Sequence, residues 1–312
     1  MKALVASPGA EANIDLVDVD DVEPRPDHVV VDVRAVSMNR GEVRNLQTAE
    51  AGWRPGWDVA GVVSQGAPNG SGPREGAHVV GLVWGGGWSE KVAVPTNMVA
   101  PLPHEVTFEA AATLPVAGMT ARKAIEMAVV DGNRVAVTGA AGGVGRFAVQ
   151  LAAQNGAHVT AVVGSTERGA GLAELGASEI VVGTLPADGE PFDLILESAG
   201  GQSLAAALMR VAPEGTVVSY GNSSGEPTTF DVSSFYGKGG ARLYALVLAN
   251  ELGRTGGATT DLGYLANLVA IGHLDVGIDR TVDCNDIGAV RAACTDLLDR
   301  KINGKVVLRM SS

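Results

Sequence analysis

The sequence predicts an α/β plus β protein: a β-rich unit supplied by the first third and the tail, with a doubly wound parallel sheet inserted between. Three observations carry this expectation. Short apolar segments broken by proline and glycine fill the first hundred residues. Strands and helices then alternate from Arg134 to Tyr220. A glycine run, Gly139-Ala140-Ala141-Gly142-Gly143-Val144-Gly145, separates the first strand from the first helix of that alternation. At 312 residues, two packed units are the natural division.

In the first third, residues 28–36 (HVVVDVRAV) alternate through Val29, Val31, Val33 and Ala35, as a half-buried strand does. Residues 58–63, 78–83 and 88–94 read as further short strands. Pro24, Pro26, Pro55, Pro68 and Pro73 punctuate them, since proline is poorly tolerated in central strands. The expected result is an all-β, barrel-like unit, joined to the next by a helix over 115–128. From there, 134–138 (RVAVT) is a strand, the glycines a loop, and 144–155 a helix with Val144, Ala148, Leu151 and Ala152 on one apolar face. Strands follow at 158–163, 179–182, 193–197 and 216–220, and helices at 168–175 and 202–208. Such alternation implies a parallel sheet covered on both faces. Helices at 260–271 and 287–299 precede a last strand at 305–308, which could return to the first unit and make it discontinuous.

Composition bounds the function. A formal charge of -12 argues against non-specific binding to nucleic acid or anionic membranes. The only cysteines, Cys284 and Cys294, cannot build a disulfide framework or a four-cysteine zinc lobe. They read as free thiols in a reducing compartment. No apolar run approaches membrane-spanning length and the start lacks a charged leader, so a cytoplasmic protein is expected. The five histidines do not cluster along the chain, so a hydrolase triad has no support.

The glycine run supplies the chemistry. Gly139 permits a tight turn, Gly142 removes a side chain where a pyrophosphate approaches the backbone, and Gly145 lets the helix pack closely on the strand. The free N–H groups at the helix start, from Gly143, Val144 and Gly145, then face the phosphates, with Ala140 in the turn. An NAD site usually carries an acid at the end of the second strand. This chain has Gly164-Ser165-Thr166-Glu167-Arg168 there. Gly164 stands near the expected acid, and Ser165 and Arg168 suit a 2′-phosphate, so NADP(H) is the expected cofactor; Glu167 dissents.

Six stretches in order resemble the medium-chain dehydrogenase/reductase superfamily, in its zinc-independent quinone oxidoreductase branch. They are Ala35-Val-Ser-Met-Asn39, Pro55-Gly-Trp-Asp-Val-Ala-Gly-Val-Val63, Ala117-Gly-Met-Thr-Ala121, Thr138-Gly-Ala-Ala-Gly-Gly-Val-Gly145, Glu174-Leu-Gly-Ala177 and Gly304-Lys-Val-Val-Leu308. The resemblance implies a GroES-like β-barrel catalytic domain (1–118 and 262–312) and a Rossmann domain (119–261). Substrate and nicotinamide would meet in the cleft between them. It also implies a homodimer paired through the edge of the Rossmann sheet, for which 242–249 (RLYALVLA) is the apolar candidate. Zinc-using relatives carry a cysteine where this chain has Ser37-Met38-Asn39, and Gly-His-Glu where it has Gly56-Trp57-Asp58, so no metal is expected.

Without zinc, hydride transfer relies on positioning the nicotinamide against an electron-poor, small-molecule electrophile: a quinone or an α,β-unsaturated carbonyl. Asn39 is the candidate for orienting the nicotinamide ribose or an acceptor oxygen, and Thr120 for a place beside the nicotinamide. Ser198, Ala199 and Gly200 are expected to line the ribose side, and Tyr220, Gly221 and Asn222 the cofactor at a strand's C-terminal end. Tyr244, with Tyr236, is the candidate phenolic proton donor. The four tryptophans, Trp53, Trp57, Trp84 and Trp88, either wall an aromatic pocket or fill the core. The alternatives are a biosynthetic tailoring enzyme on the same fold, reducing an enoyl or imine or doing non-redox chemistry, and a non-catalytic NADPH-binding protein.

Overall fold

The computed structural model describes residues 1–310. The chain forms two compact units, one from Met1–Met119 with the segment from Leu252 onward, the other Thr120–Glu251. The first unit begins with β1 (Lys2–Ala6) and β2 (Ile14–Asp18), then β3 (His28–Ser37), α1 (Arg40–Asn45) and β4 (Asp58–Gln65). It continues through β5 (His78–Leu82), β6 (Lys91–Pro95), β7 (Val99–Pro101) and α2 (Phe108–Ala112). The second unit carries α3 (Met119–Ile125), β8 (Arg134–Thr138), α4 (Gly143–Gln154), β9 (His158–Val163) and β10 (Ala177–Val182). After these come β11 (Phe192–Glu197), α5 (Gly201–Arg210), β12 (Val211–Ser219), α6 (Val232–Tyr236) and β13 (Arg242–Ala245). Helix α7 (Leu248–Thr255) leads back, and α8 (Thr259–Ala270), β14 (Ile278–Asp283), α9 (Ile287–Leu298) and β15 (Lys305–Arg309) complete the first unit.

β3 organises the first unit. Along one edge it pairs with β4; along the other its first half takes β6 and its last three residues take β15. The sheet order is β14-β15-β3-β4-β5-β7, and β14 runs parallel to β15 in an otherwise antiparallel sheet. Val29, Val30 and Val31 are all buried, as are Ala35, Val36 and Ser37, so strict alternation survives only in the middle of the strand. Strands covered on both faces read this way.

The first unit corrects the expectation of a barrel. Its end strands, β14 and β7, do not pair among the described residues, so the sheet is open and mixed rather than closed. The parallel β14–β15 pair needs a crossover, which α9 provides. Sheet pairing of β5 with β7 also brings two histidines together: the rings of His78 and His104 lie 6.4 Å apart, edge on.

The second unit is a six-stranded, all-parallel sheet in the order β10-β9-β8-β11-β12-β13. Order reverses between β8 and β11, the place where doubly wound sheets open a crevice. Ala136, Ile195 and Val217 from three adjacent strands pack with Phe192, Leu208 and Val211 in its core. Arg134 and Arg210 both lie over the Phe192 ring, 5.2 and 5.3 Å from its centre. Arg210 also donates to the carbonyls of Pro186, Asp188 and Glu190, tying down the loop before β11.

Two predicted helices change form. Residues 168–175 hold only a single 3-10 turn, Glu167–Gly169, because Gly169 and Gly171 interrupt the helix and Gly171 takes φ +77°. Residues 115–128 become a π-helical turn, Leu114–Gly118, followed by α3.

Close approach explains Gly61. A Cβ there would lie 2.1 Å from the Asp32 carbonyl oxygen across the β3–β4 pair, whereas one on Gly66, just past β4, would meet nothing within 4 Å. Gly61→Ala is therefore expected to destabilise the protein by about 3 kcal/mol in urea denaturation, and Gly66→Ala by no more than about 0.5 kcal/mol. Equal midpoints for the two variants would contradict this packing.

Candidate functional site

Because every strand of the second unit is parallel, the C-terminal strand ends collect on one edge of the sheet. Helix α4 starts there, directly after β8, with glycine as its N-cap and no side chain closing its first turn. Gly139 takes φ +61°. A Cβ on Gly145 would sit 2.4 Å from the Gly139 oxygen and 2.6 Å from Ala140 Cα, so glycine is required for the helix to begin this close to the turn. A Cβ on Gly142 would meet only the Gly139 oxygen, at 3.3 Å. The glycines thus leave the helix N-terminus, with its unsatisfied N–H groups, accessible to an anion.

The neighbouring strand ends lean on this turn. Ser198, after β11, donates its hydroxyl to the Thr138 carbonyl and its N–H to the Thr138 hydroxyl, at 3.0 and 2.9 Å. Glu197, fully buried, accepts from the Thr138 hydroxyl and from the N–H groups of Ala199 and Gly200, fixing the turn after β11. Gly200 takes φ +74°, and a Cβ there would lie 2.1 Å from the Asn222 Oδ1. A Cβ on Gly221 would lie 2.9 Å from the Ser198 oxygen. The Tyr220 hydroxyl is shielded from solvent with no partner in hydrogen-bonding geometry. Burial pushes it above the usual tyrosine range, so it stays a donor.

After β9, which borders β8, come Gly164, Ser165 and the turn bearing Arg168. The exposed Glu167 carboxylate is held below its usual range by a hydrogen bond from Ser165. One contiguous set therefore unites Gly139, Ala140, Gly142, Gly143, Val144 and Gly145 with Ser198, Ala199, Gly200, Tyr220, Gly221 and Asn222. These residues fit a dinucleotide: a glycine cradle, an uncapped helix start and a shielded phenol donor beside Ser198. Thr120 is buried at the start of α3. Tyr244 lies on the edge strand β13 and donates its hydroxyl to Glu251.

Asn39 belongs to a different set, in the first unit. It caps α1, and the Glu42 carboxylate reaches back to its N–H at 2.7 Å. Its Nδ2 donates to Asp58 at 2.7 Å and to Glu42 at 3.1 Å, while its Oδ1 accepts from Lys305 Nζ at 2.7 Å. Asp58 also accepts from the Ser37 hydroxyl (2.6 Å), the Val116 N–H (2.8 Å) and Lys305 (3.4 Å). The other Glu42 oxygen accepts from the N–H groups of Gly56 and Trp57. Glu42, Asp58 and Ser37 are fully buried, and Lys305 nearly so.

Burial, and then the charge of Asp58, push the Glu42 carboxyl up to about 8. Burial pulls the Lys305 ammonium below the usual lysine range, against the opposing pull of the two carboxylates. Among the described residues no group of three or more His, Cys, Asp or Glu side chains is arranged to hold a metal ion. The tryptophans divide: Trp88 is fully buried, Trp84 is 53% exposed, and Trp53 and Trp57 lie between.

Sequence reading missed Glu42, Lys305 and Glu197. Each left a signal. Glu42 stands three residues after a capping Asn, Lys305 opens an apolar strand, and Glu197 ends one.

The comparisons follow the two units. The family model described as "Alcohol dehydrogenase GroES-like domain" matches residues 25–104, and "Zinc-binding dehydrogenase" matches 143–251. The chain is similar to the chloroplast envelope quinone oxidoreductase homolog of Arabidopsis thaliana, 26% identical over 96% of this chain and 95% of that protein. A chloroplastic quinone-oxidoreductase homolog of Spinacia oleracea is 30% identical over 59% of this chain; the match spans 63% of that protein's own length. The quinone oxidoreductase of Escherichia coli, solved with NADPH, superposes with a TM-score of 0.88 at 20% identity over 99% of this chain and 100% of that one, a likeness of fold. No helix among the described residues is long and apolar enough to cross a membrane.

Proposed function

Because the chain belongs to the medium-chain dehydrogenase/reductase superfamily, in its quinone-oxidoreductase-like branch, we infer that it is an NADPH-dependent oxidoreductase that reduces a quinone or an α,β-unsaturated carbonyl without zinc. The observation that carries this reading is the cradle of Gly139–Gly145 at the sheet's reversal point, followed by a second strand end that puts Gly164 near the usual place of an acid, with Ser165 and Arg168 beside it and the exposed Glu167 bonded to Ser165. The NADPH in the Escherichia coli neighbour supports the same cofactor.

When bound, the reduced nicotinamide supplies the hydride. The N–H groups that open α4 hold the pyrophosphate, and Arg168 with Ser165 holds the 2′-phosphate. Ser198, Ala199, Gly200, Gly221 and Asn222 line the ribose and nicotinamide side, with the Tyr220 hydroxyl as a fixed donor and Thr120 beside the nicotinamide. Asn39 has both amide hydrogens committed to Asp58 and Glu42, so what it can offer a bound molecule is its remaining Oδ1 lone pair, as an acceptor. Positioning and exclusion of water supply the rate enhancement, because an electron-poor acceptor develops an oxyanion that needs only hydrogen-bond donors. Two copies would pair through the β13 edge, which exposes Leu243; sedimentation as a monomer at working concentration would end that part of the proposal.

Steady-state loss of NADPH absorbance across a panel of quinones and enones tests the reading. Turnover of at least one member of either class is expected; tight NADPH binding with no turnover on any of them would overturn it. Arg168→Ala is expected to weaken NADPH by about tenfold or more and NADH by less than about twofold, as loss of one charge-assisted phosphate contact does. Equal weakening of both, measured by titration calorimetry, would refute the phosphate role.

A further inference from the structure

Lys305, Asp58 and Glu42 form a closed set of buried charges with a net charge of minus one when all three are ionised. They draw together five segments: the end of β3, the first turn of α1, the Gly56–Trp57 loop, the π-helical turn through Val116, and β15. Every polar atom of the Asn39 amide is engaged by one of the three. We propose that this set is the positioning device of the catalytic unit, holding the Asn39 amide in one orientation and the Gly56–Trp57 loop in one place, and that uptake of a single proton by Glu42 releases it. The proposal rests on the reductase reading for its kinetic consequence, but the device itself stands on the geometry.

Hydrogen-bond chemistry makes Glu42 the switching member. Its two oxygens face four N–H donors: the Asn39 N–H and Nδ2 on one side, and the Gly56 and Trp57 N–H groups on the other. A proton on Glu42 would point at donors with no acceptor among them, so its arrival must break one of those bonds. Breaking either of the first pair loosens Asn39, which Asp58 and Lys305 still hold; breaking either of the second loosens the Gly56–Trp57 loop. Asp58 differs in having a cation among its partners: its oxygens accept from Lys305 and from three neutral donors. The charged and titratable groups facing Glu42 are Asp58 from β4, Lys305 from β15 and Cys294 from α9; the Glu42 charge itself pushes the Cys294 thiol up, second to burial. Asp58 pushes the Glu42 carboxyl up and Lys305 pulls it down, leaving it at about 8.

Trp57 provides a reporter, since its backbone N–H is one of the four donors and its indole rides on the same residue. In the full-length protein, a pH titration of tryptophan fluorescence should show an inflection near 8 that Trp57→Phe removes and Glu42→Gln abolishes. Lys305→Met deletes the compensating cation and should move the inflection upward by about one pH unit, while Lys305→Arg leaves it near its place. With NADPH and an acceptor, Lys305→Met should lower kcat by about tenfold or more while leaving NADPH affinity within about twofold, and Lys305→Arg should restore most of kcat. If Lys305→Met fails to fold, the Glu42→Gln and Lys305→Arg titrations decide. An inflection unmoved by both Glu42→Gln and Lys305→Met would overturn the proposal, as would equal loss of NADPH binding and turnover. Should no acceptor turn over, the fluorescence arm alone decides, so failure of the reductase reading stays distinct from failure of the device.

Discussion

A carboxylate with no access to water constrains the first unit more than any other single group. Asp58 is fully buried at the start of β4, and burying an unpaired charge there would cost several kcal/mol. Its oxygens are met by the Ser37 hydroxyl, the Asn39 amide, the Val116 N–H and the Lys305 ammonium. Those partners come from residues 21 before to 247 after it in the chain. Satisfying Asp58 therefore requires β3 to end where β15 begins its pairing, and the chain after α2 to turn back with a free N–H at Val116.

The second unit repeats the device on a smaller scale. Glu197 is buried at the end of β11 and gathers Thr138, Ala199 and Gly200, which locks the turn after β11 onto the turn after β8. Close contacts at Gly139, Gly145, Gly200 and Gly221 leave no room for a Cβ on the same edge of the sheet. Electrostatic satisfaction and steric exclusion together preorganise the cradle before any cofactor arrives, so binding need not order it.

Much of this was legible in the sequence, and the rest was not for identifiable reasons. The parallel sheet showed itself because βα alternation and the glycine turn are local patterns, readable over a dozen residues. The tail strand of Lys305 was visible as an apolar run, yet its pairing with β3 is a contact across more than 250 residues. The closed barrel was expected because short β-segments punctuated by proline suit one; whether the end strands meet depends on register and handedness, which no local pattern carries. The helix expected after Arg168 failed on a local signal that was present, the paired Gly169 and Gly171. Asp58 was read as a missing zinc ligand, and its role emerged only when its four donors were in place. Asn39 was expected to orient a nicotinamide ribose or an acceptor oxygen; its amide hydrogens turn inward to Asp58 and Glu42, which leaves only Oδ1 to offer a bound molecule.

The most direct test is a double-mutant cycle on folding stability with Asp58→Asn and Lys305→Met. If the two groups sustain each other as a buried pair, the double variant should be less destabilised than the sum of the singles by about 2 kcal/mol, because removing one partner strands the other. Additivity within about 0.5 kcal/mol would mean that the pair is incidental, and that something other than this buried charge holds the first unit together.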